Sequence, residues 1–164
     1  MCDFTPLRNW LLTLISLMLA IVSSMFFAMA WMNAGWLAFV SVISFWAAAG
    51  WCTAALVSTY FLRQALDEFC SCAKSADCVS ACGSARAILI LLIITLTIAL
   101  AGNVLAANGE FGLSALPMAA SLVGFSGLIP FLAVLLVQFA NCQPKPAPPT
   151  SPPMGPASPP ATPM

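Results

Sequence analysis

The chain has no histidine and almost no charge: five Lys or Arg and five Asp or Glu, 6% of 164 residues. Without His there is no His-ligated haem, no imidazole general base and no His-containing metal site. Soluble domains carry about 25% charged residues, so water does not solvate most of this chain. A net charge of zero with no basic patch excludes nucleic acid as an expected partner. The apolar stretches hold no Lys, Arg, Asp or Glu, so they offer no charged relay for protons. No nucleophile–base pair stands out; no catalytic residue is expected and the chain reads as a non-enzyme.

What fills the chain instead is four apolar runs: Trp10–Met32, Trp36–Leu62, Ala87–Ala107 and Leu113–Phe139. A helix needs roughly 20 apolar residues to cross a hydrocarbon core of about 30 Å, and each run is long enough. The expected fold is all-α: a four-helix transmembrane bundle of two helical hairpins in the lipid bilayer, spanning residues 1–142. Trp10 opens the first span as an interfacial anchor. Ala28-Met29-Ala30 resembles a signal-peptide cleavage site, but the apolar stretch before it exceeds the usual 7–15 residues, so the segment is read as a span. Asn33-Ala34-Gly35 joins spans one and two, and Asn108–Gly112 joins spans three and four. Asn and Gly in these turns accept left-handed backbone angles at low cost.

Between the hairpins lies a cysteine-bearing segment, Arg63–Arg86, expected to form a helical hairpin projecting from one face. Its first arm continues span two with good helix formers. Its second starts after Ser75 as a cap, with Asp77 in the first turn, where the helix dipole favours an anion. The segment from Gln143 to Met164 differs, holding ten of the thirteen prolines. It is expected to be a disordered, polyproline-like tail. Pro144, Pro146, Pro148 and Pro149 have the spacing of a ligand for an SH3- or WW-type groove.

All five basic residues (Arg8, Arg63, Lys74, Arg86 and Lys145) lie on one side of the four-span arrangement. The positive-inside rule then places both termini and the cysteine segment in the cytoplasm. The opposite turns hold only about eight residues, which weakens the bias. Cys2, Cys70, Cys72, Cys78, Cys82 and Cys142 share the basic side, and only Cys52 lies within a span, where a thiol serves as a small apolar filler.

Three readings of the cluster Cys70, Cys72, Cys78 and Cys82 stand side by side. Four thiolates on two arms suit tetrahedral zinc or an iron–sulfur cluster, although the spacing C-x-C-x5-C-x3-C matches no familiar knuckle. Nested bridges Cys72–Cys78 and Cys70–Cys82 would staple the hairpin, which requires an oxidising compartment. Reduced cysteines would simply pack as small, semi-apolar side chains. Cys52 in a span with Cys72 and Cys78 in a loop is similar in plan to small bacterial mercury-uptake membrane proteins. Those pair two cysteines within the membrane, and Cys52 has no such partner. Quinone-linked disulfide-forming proteins are also four-helix bundles but rely on C-x2-C pairs at span ends, a pattern absent here.

Met25, Met29 and Met32 share one helical face and could offer thioethers to Cu(I), although Met is an ordinary filler in membrane helices. Asn103 and Gln138 are expected to bond to neighbouring helices, and Pro117 and Pro130 to kink span four. Gly50 with Ala54, and Ala120 with Gly124, form small-xxx-small pairs that let helices approach closely. The functional expectation is a non-enzymatic accessory or scaffold protein that associates with other membrane subunits or with itself. The alternative is soft-metal (Zn, Cu, Fe–S or Hg) handling or thiol redox chemistry through the four clustered cysteines.

Overall fold

The computed structural model describes residues 4–33, 38–72 and 76–142. Those residues form four helices: α1 (Thr5–Asn33), α2 (Ala38–Cys72), α3 (Ala76–Ala107) and α4 (Phe111–Asn141). All four are long and apolar enough to cross a membrane, as a multi-pass membrane protein requires. Each helix packs along its sequence neighbour, and α4 returns to α1 through a looser seam. The turn after α1, and with it most of Asn33-Ala34-Gly35, lies outside the described residues, as does the proline-rich segment with Pro144, Pro146, Pro148 and Pro149.

The core obeys one rule in every helix: buried residues recur at alternating steps of three and four. On α1 they are Phe4, Leu7, Leu11, Leu14, Met18, Ile21, Met25 and Ala28. On α4 they are Ser114, Met118, Ser121, Phe125, Leu128, Leu132, Leu135 and Phe139. On α2 the series runs from Ser41 through Phe45, Ala48, Cys52, Ala55, Thr59, Leu62 and Leu66 to Phe69. On α3 it runs Cys78, Cys82, Ala85, Leu89, Leu92, Leu96, Ala99, Asn103 and Ala106. A mean step of 3.5 keeps one seam facing its neighbours and is the spacing of knobs-into-holes packing. The outward faces are apolar too; Phe39, Leu116 and Val123 are among the exposed residues. Many hydroxyls within the spans are satisfied locally, whereas Ser41 Oγ is buried without a partner. Ser16, Ser44, Thr53, Ser58 and Thr97 each donate to the carbonyl four residues back, as a chain without water must arrange.

Helix ends follow from local chemistry. Pro6 sits in the first turn of α1, where a backbone N–H has no intrahelical partner to lose. At the end of α3, Glu110 N–H donates to Leu105 O and Gly109 N–H to Ala106 O, each at 3.0 Å. This is the Schellman pattern, and Gly109 supplies its left-handed residue with φ +88°. The turn is therefore shorter than the expected Asn108–Gly112, because Phe111 and Gly112 already belong to α4. Pro117 and Pro130 lie inside α4, which continues as one helix to Asn141.

Small residues set the distance between α3 and α4. A Cβ on Gly124 would lie 2.6 Å from Thr95 Cγ2, and one on Gly102 would lie 3.2 Å from the Met118 backbone nitrogen. Gly124 thus serves packing within the chain, whereas Ala120, the other member of its small-xxx-small pair, is exposed. Gly50 faces open space.

With 35 residues in α2 and 1.5 Å per residue, that helix is about 52 Å long, well beyond the roughly 30 Å hydrocarbon core. The excess collects at the cysteine end. The cysteine arms do not project freely, as the sequence suggested. α1 begins at Thr5 and α4 runs to Asn141, both beyond the apolar runs, so both flank the arms. Phe69 on α2 packs between Phe4 of α1 and Phe139 of α4, with ring centroids 5.9 and 5.4 Å away.

Candidate functional site

Among the described residues, the reactive side chains cluster at the cysteine end. Cys78 and Cys82 are one turn apart on α3, and both fall on its buried seam. The two project toward different neighbours. Cys82 is bridged to Cys70 on α2, with Cα atoms 6.0 Å apart. Cys78 is bridged to Cys142 just after α4, with Cα atoms 5.8 Å apart. Both separations lie within the ordinary span of a disulfide. α3 is thereby tied to both its neighbours, over a floor made by Phe4, Phe69 and Phe139.

The structure keeps one of the two bridges that sequence symmetry suggested and replaces the other. Cys70–Cys82 forms. Cys72–Cys78 does not: Cys72 is an exposed free thiol at the end of α2. The reason is phase. Two residues beyond Cys70, Cys72 has turned about 200° around the helix at 3.6 residues per turn, away from α3. Nested bridges treat the arms as a flat hairpin, whereas helices rotate each position. Cys78, on the seam, meets α4 instead. Cys142 lies three residues beyond Phe139, in phase with the α4 seam. Its place at the end of span four, on the cysteine side, was visible in the sequence; its in-phase partner was not.

Among the described residues, no group of three or more Cys, Asp or Glu is arranged to hold a metal ion. With both bridges closed, Cys72 and the buried Cys52 are the free thiols among them. Cys52 lies on the α2 seam, fully buried, as an apolar filler would. The methionines divide as well. Met25 is part of the α1 core. Met29 and Met32 instead line a groove of about 270 Å³ with Phe45, Phe111 and Met118, where the looser α1–α4 seam opens.

Polar residues at this end are arranged on the outside. Asp77, Ser80, Ser84, Gln138 and Asn141 surround the Cys78–Cys142 bridge in an open hollow of about 570 Å³ between α3 and α4. Asp77 lies in the first turn of α3, where the helix dipole favours an anion, and Ser75, the expected cap, lies outside the described residues. On the α2–α3 side, Arg86 donates to Asp67 at 3.0 Å, and Arg63 Nε lies 4.0 Å from the other Asp67 oxygen. All three side chains are more than half exposed, so these pairs contribute little to stability, about 0–1 kcal/mol each.

The two in-span amides do not bridge helices. Asn103 is fully buried, and its Nδ2 donates to Ala99 O on the same helix at 2.8 Å; its Oδ1 has no partner. Gln138 is exposed at the rim of the hollow. No family model, curated protein or solved structure matches the chain.

Proposed function

We propose that the chain is a non-enzymatic scaffold or accessory subunit of a membrane assembly, stapled at one end. The observation behind this reading is the pair of disulfides that lock α2, α3 and α4 together above a heptad-packed core. Four sulfurs serve as crosslinks, and the interior is filled by side chains. The outer faces are where recognition can occur. Gly50 and the half-buried Ala54 leave a small-residue face on α2 that is not used within the chain, which suits association with another helix. Pro144, Pro146, Pro148 and Pro149 supply a proline-rich docking ligand.

The thiols bear on sidedness. Disulfides persist in oxidising compartments, so the bridges favour an exoplasmic cysteine end, with both termini on that side. The basic residues argue for the cytoplasm. The bridges weigh more here, because the sequence opposite the cysteine end, residues 34–37 and 108–110, is too short to hold many basic residues. A membrane-impermeant maleimide applied to intact cells tests this directly. Labelling of Cys72 from outside supports the exoplasmic placement, and labelling only after permeabilisation overturns it.

A second reading keeps the soft-metal or thiol-redox alternative through Cys70, Cys72, Cys78 and Cys82. It is favoured by three helix ends bringing sulfurs together with a free thiol two residues from a bridge. Reduction must come first. Gently purified protein, analysed for zinc, copper, iron and mercury, separates the two readings. Stoichiometric metal that is lost when these cysteines become Ser overturns the scaffold reading. Metal-free protein that crosslinks to a fixed set of membrane partners supports it.

A further inference from the structure

The α2–α3 groove below the cysteine end has a composition that neither the staples nor the core requires. Arg63 directly follows the second apolar run and Arg86 directly precedes the third, so the two guanidinium groups stand at one level, where the hydrocarbon begins. Between them lies a groove of about 430 Å³ that continues from Arg63, Asp67 and Arg86 down over Leu89, Ile90 and Ile93. Its upper part carries two positive charges and one negative. Asp67 engages Arg86 closely but reaches only Nε of Arg63, at 4.0 Å, and the terminal nitrogens of Arg63 make no hydrogen bond among the described residues. Its lower part is apolar: Ile90 is 60% exposed and Ile93 39%. A single molecule that matches both parts has an anionic head and a hydrocarbon tail. Arg is the residue suited to binding phosphate oxygens through two nitrogens at once.

We propose that the α2–α3 groove binds one anionic phospholipid, its phosphate held by Arg63 and Arg86 and an acyl chain lying over Leu89, Ile90 and Ile93. Asp67 acts in this arrangement as a competitor. It partly neutralises the site and occupies Arg86, so the lipid phosphate gains Arg63 first and shares Arg86.

The test uses the full chain in detergent, stripped of lipid and titrated with dioleoyl phosphatidylglycerol or dioleoyl phosphatidylcholine. Native mass spectrometry counts the bound lipids. One phosphatidylglycerol should bind at least about tenfold more tightly than phosphatidylcholine, and Arg63→Gln and Arg86→Gln should each weaken it by about that factor. Asp67→Asn is the decisive variant. Removing the competing carboxylate should tighten lipid binding, whereas a trio that merely clamps α2 to α3 would lose binding with Asp67→Asn as it does with Arg86→Gln. Circular dichroism and elution volume confirm that each variant is folded. Equal binding of the two lipids, unchanged binding in both Arg variants, or weaker binding in Asp67→Asn overturns the proposal. So does inorganic phosphate displacing the lipid at equal concentration, which would mark a site for the anion alone.

Discussion

Removing the Cys78–Cys142 bridge should destabilise the bundle more than removing Cys70–Cys82, although both sit at the same end. The bridges close loops of very different length, with sequence separations of 64 and 12. If a bridge acts by restricting the unfolded chain, these separations correspond to about 4.3 and 2.8 kcal/mol, a difference of about 1.5 kcal/mol. The absolute values are upper bounds in a membrane, where separated helices remain inserted and tethered. The order survives, because α2 and α3 are already joined next to Cys70 and Cys82, while Cys142 is a whole hairpin away from Cys78. The comparison needs paired variants, Cys78→Ala/Cys142→Ala against Cys70→Ala/Cys82→Ala, so that no orphan thiol can rearrange. Reversible unfolding in mixed detergent, followed by tryptophan fluorescence, gives both free energies, and circular dichroism checks that the helices persist. Equal losses for the two pairs would refute the loop argument. A peptide map of unreduced protein that joined Cys72 to Cys78 would refute the helical-phase argument beneath it.

Three further substitutions probe the packing. Gly124→Ala should cost about 1–3 kcal/mol despite the better helix propensity of Ala, because its Cβ would meet Thr95 Cγ2 at 2.6 Å; Thr95→Ala should restore most of the loss, and additive effects would show that the two residues do not touch. Gly109→Ala should cost about 1 kcal/mol through its left-handed backbone, with φ +88°, and Gly109→Asn less, read in the same unfolding assay. Asn103→Val should leave stability unchanged or raise it by about 1 kcal/mol, because it removes a buried oxygen without a partner. A loss above about 2 kcal/mol would mean that this oxygen is bonded to a buried water.

The number of helices, their type and their rough limits were legible because lipid imposes length. A run such as Ala87–Ala107 without charge has few alternatives to a helix across a membrane. The same apolarity hid the core. In a water-soluble bundle the heptad of α1, from Phe4 to Ala28, would be marked by polar residues on the opposite face. Here the residues between include Leu12, Leu19, Phe26 and Phe27, which are exposed yet equally hydrophobic. Periodicity therefore carries no contrast, and the seam becomes visible only once partners are in place. The expected bonds from Asn103 and Gln138 to neighbouring helices failed for a related reason. Asn103 lies on the seam but finds its partner on its own helix, and Gln138 lies off it.

The cysteines show where one-dimensional symmetry stops working and what replaces it. Nesting the bridges across the hairpin pairs Cys70 with Cys82, as the structure does, and Cys72 with Cys78, which it does not. What separates the two cases is rotation. Two helices meet along a seam that advances by three and four residues, so a partner must lie on or beside that seam. Phe69, Cys78, Cys82 and Phe139 occupy it; Cys70 and Cys142 flank it; Cys72 has turned away. The same rule explains why a fourth helix enters the site at all. Once α2 and α3 extend past the membrane together, their shared apolar face needs cover, and the ends of α1 and α4 provide it through Phe4 and Phe139. Cys142 arrives with that cover. The cluster that sequence placed on two arms is thus a three-helix crosslink, and its free member, Cys72, is the thiol through which its surroundings can be read.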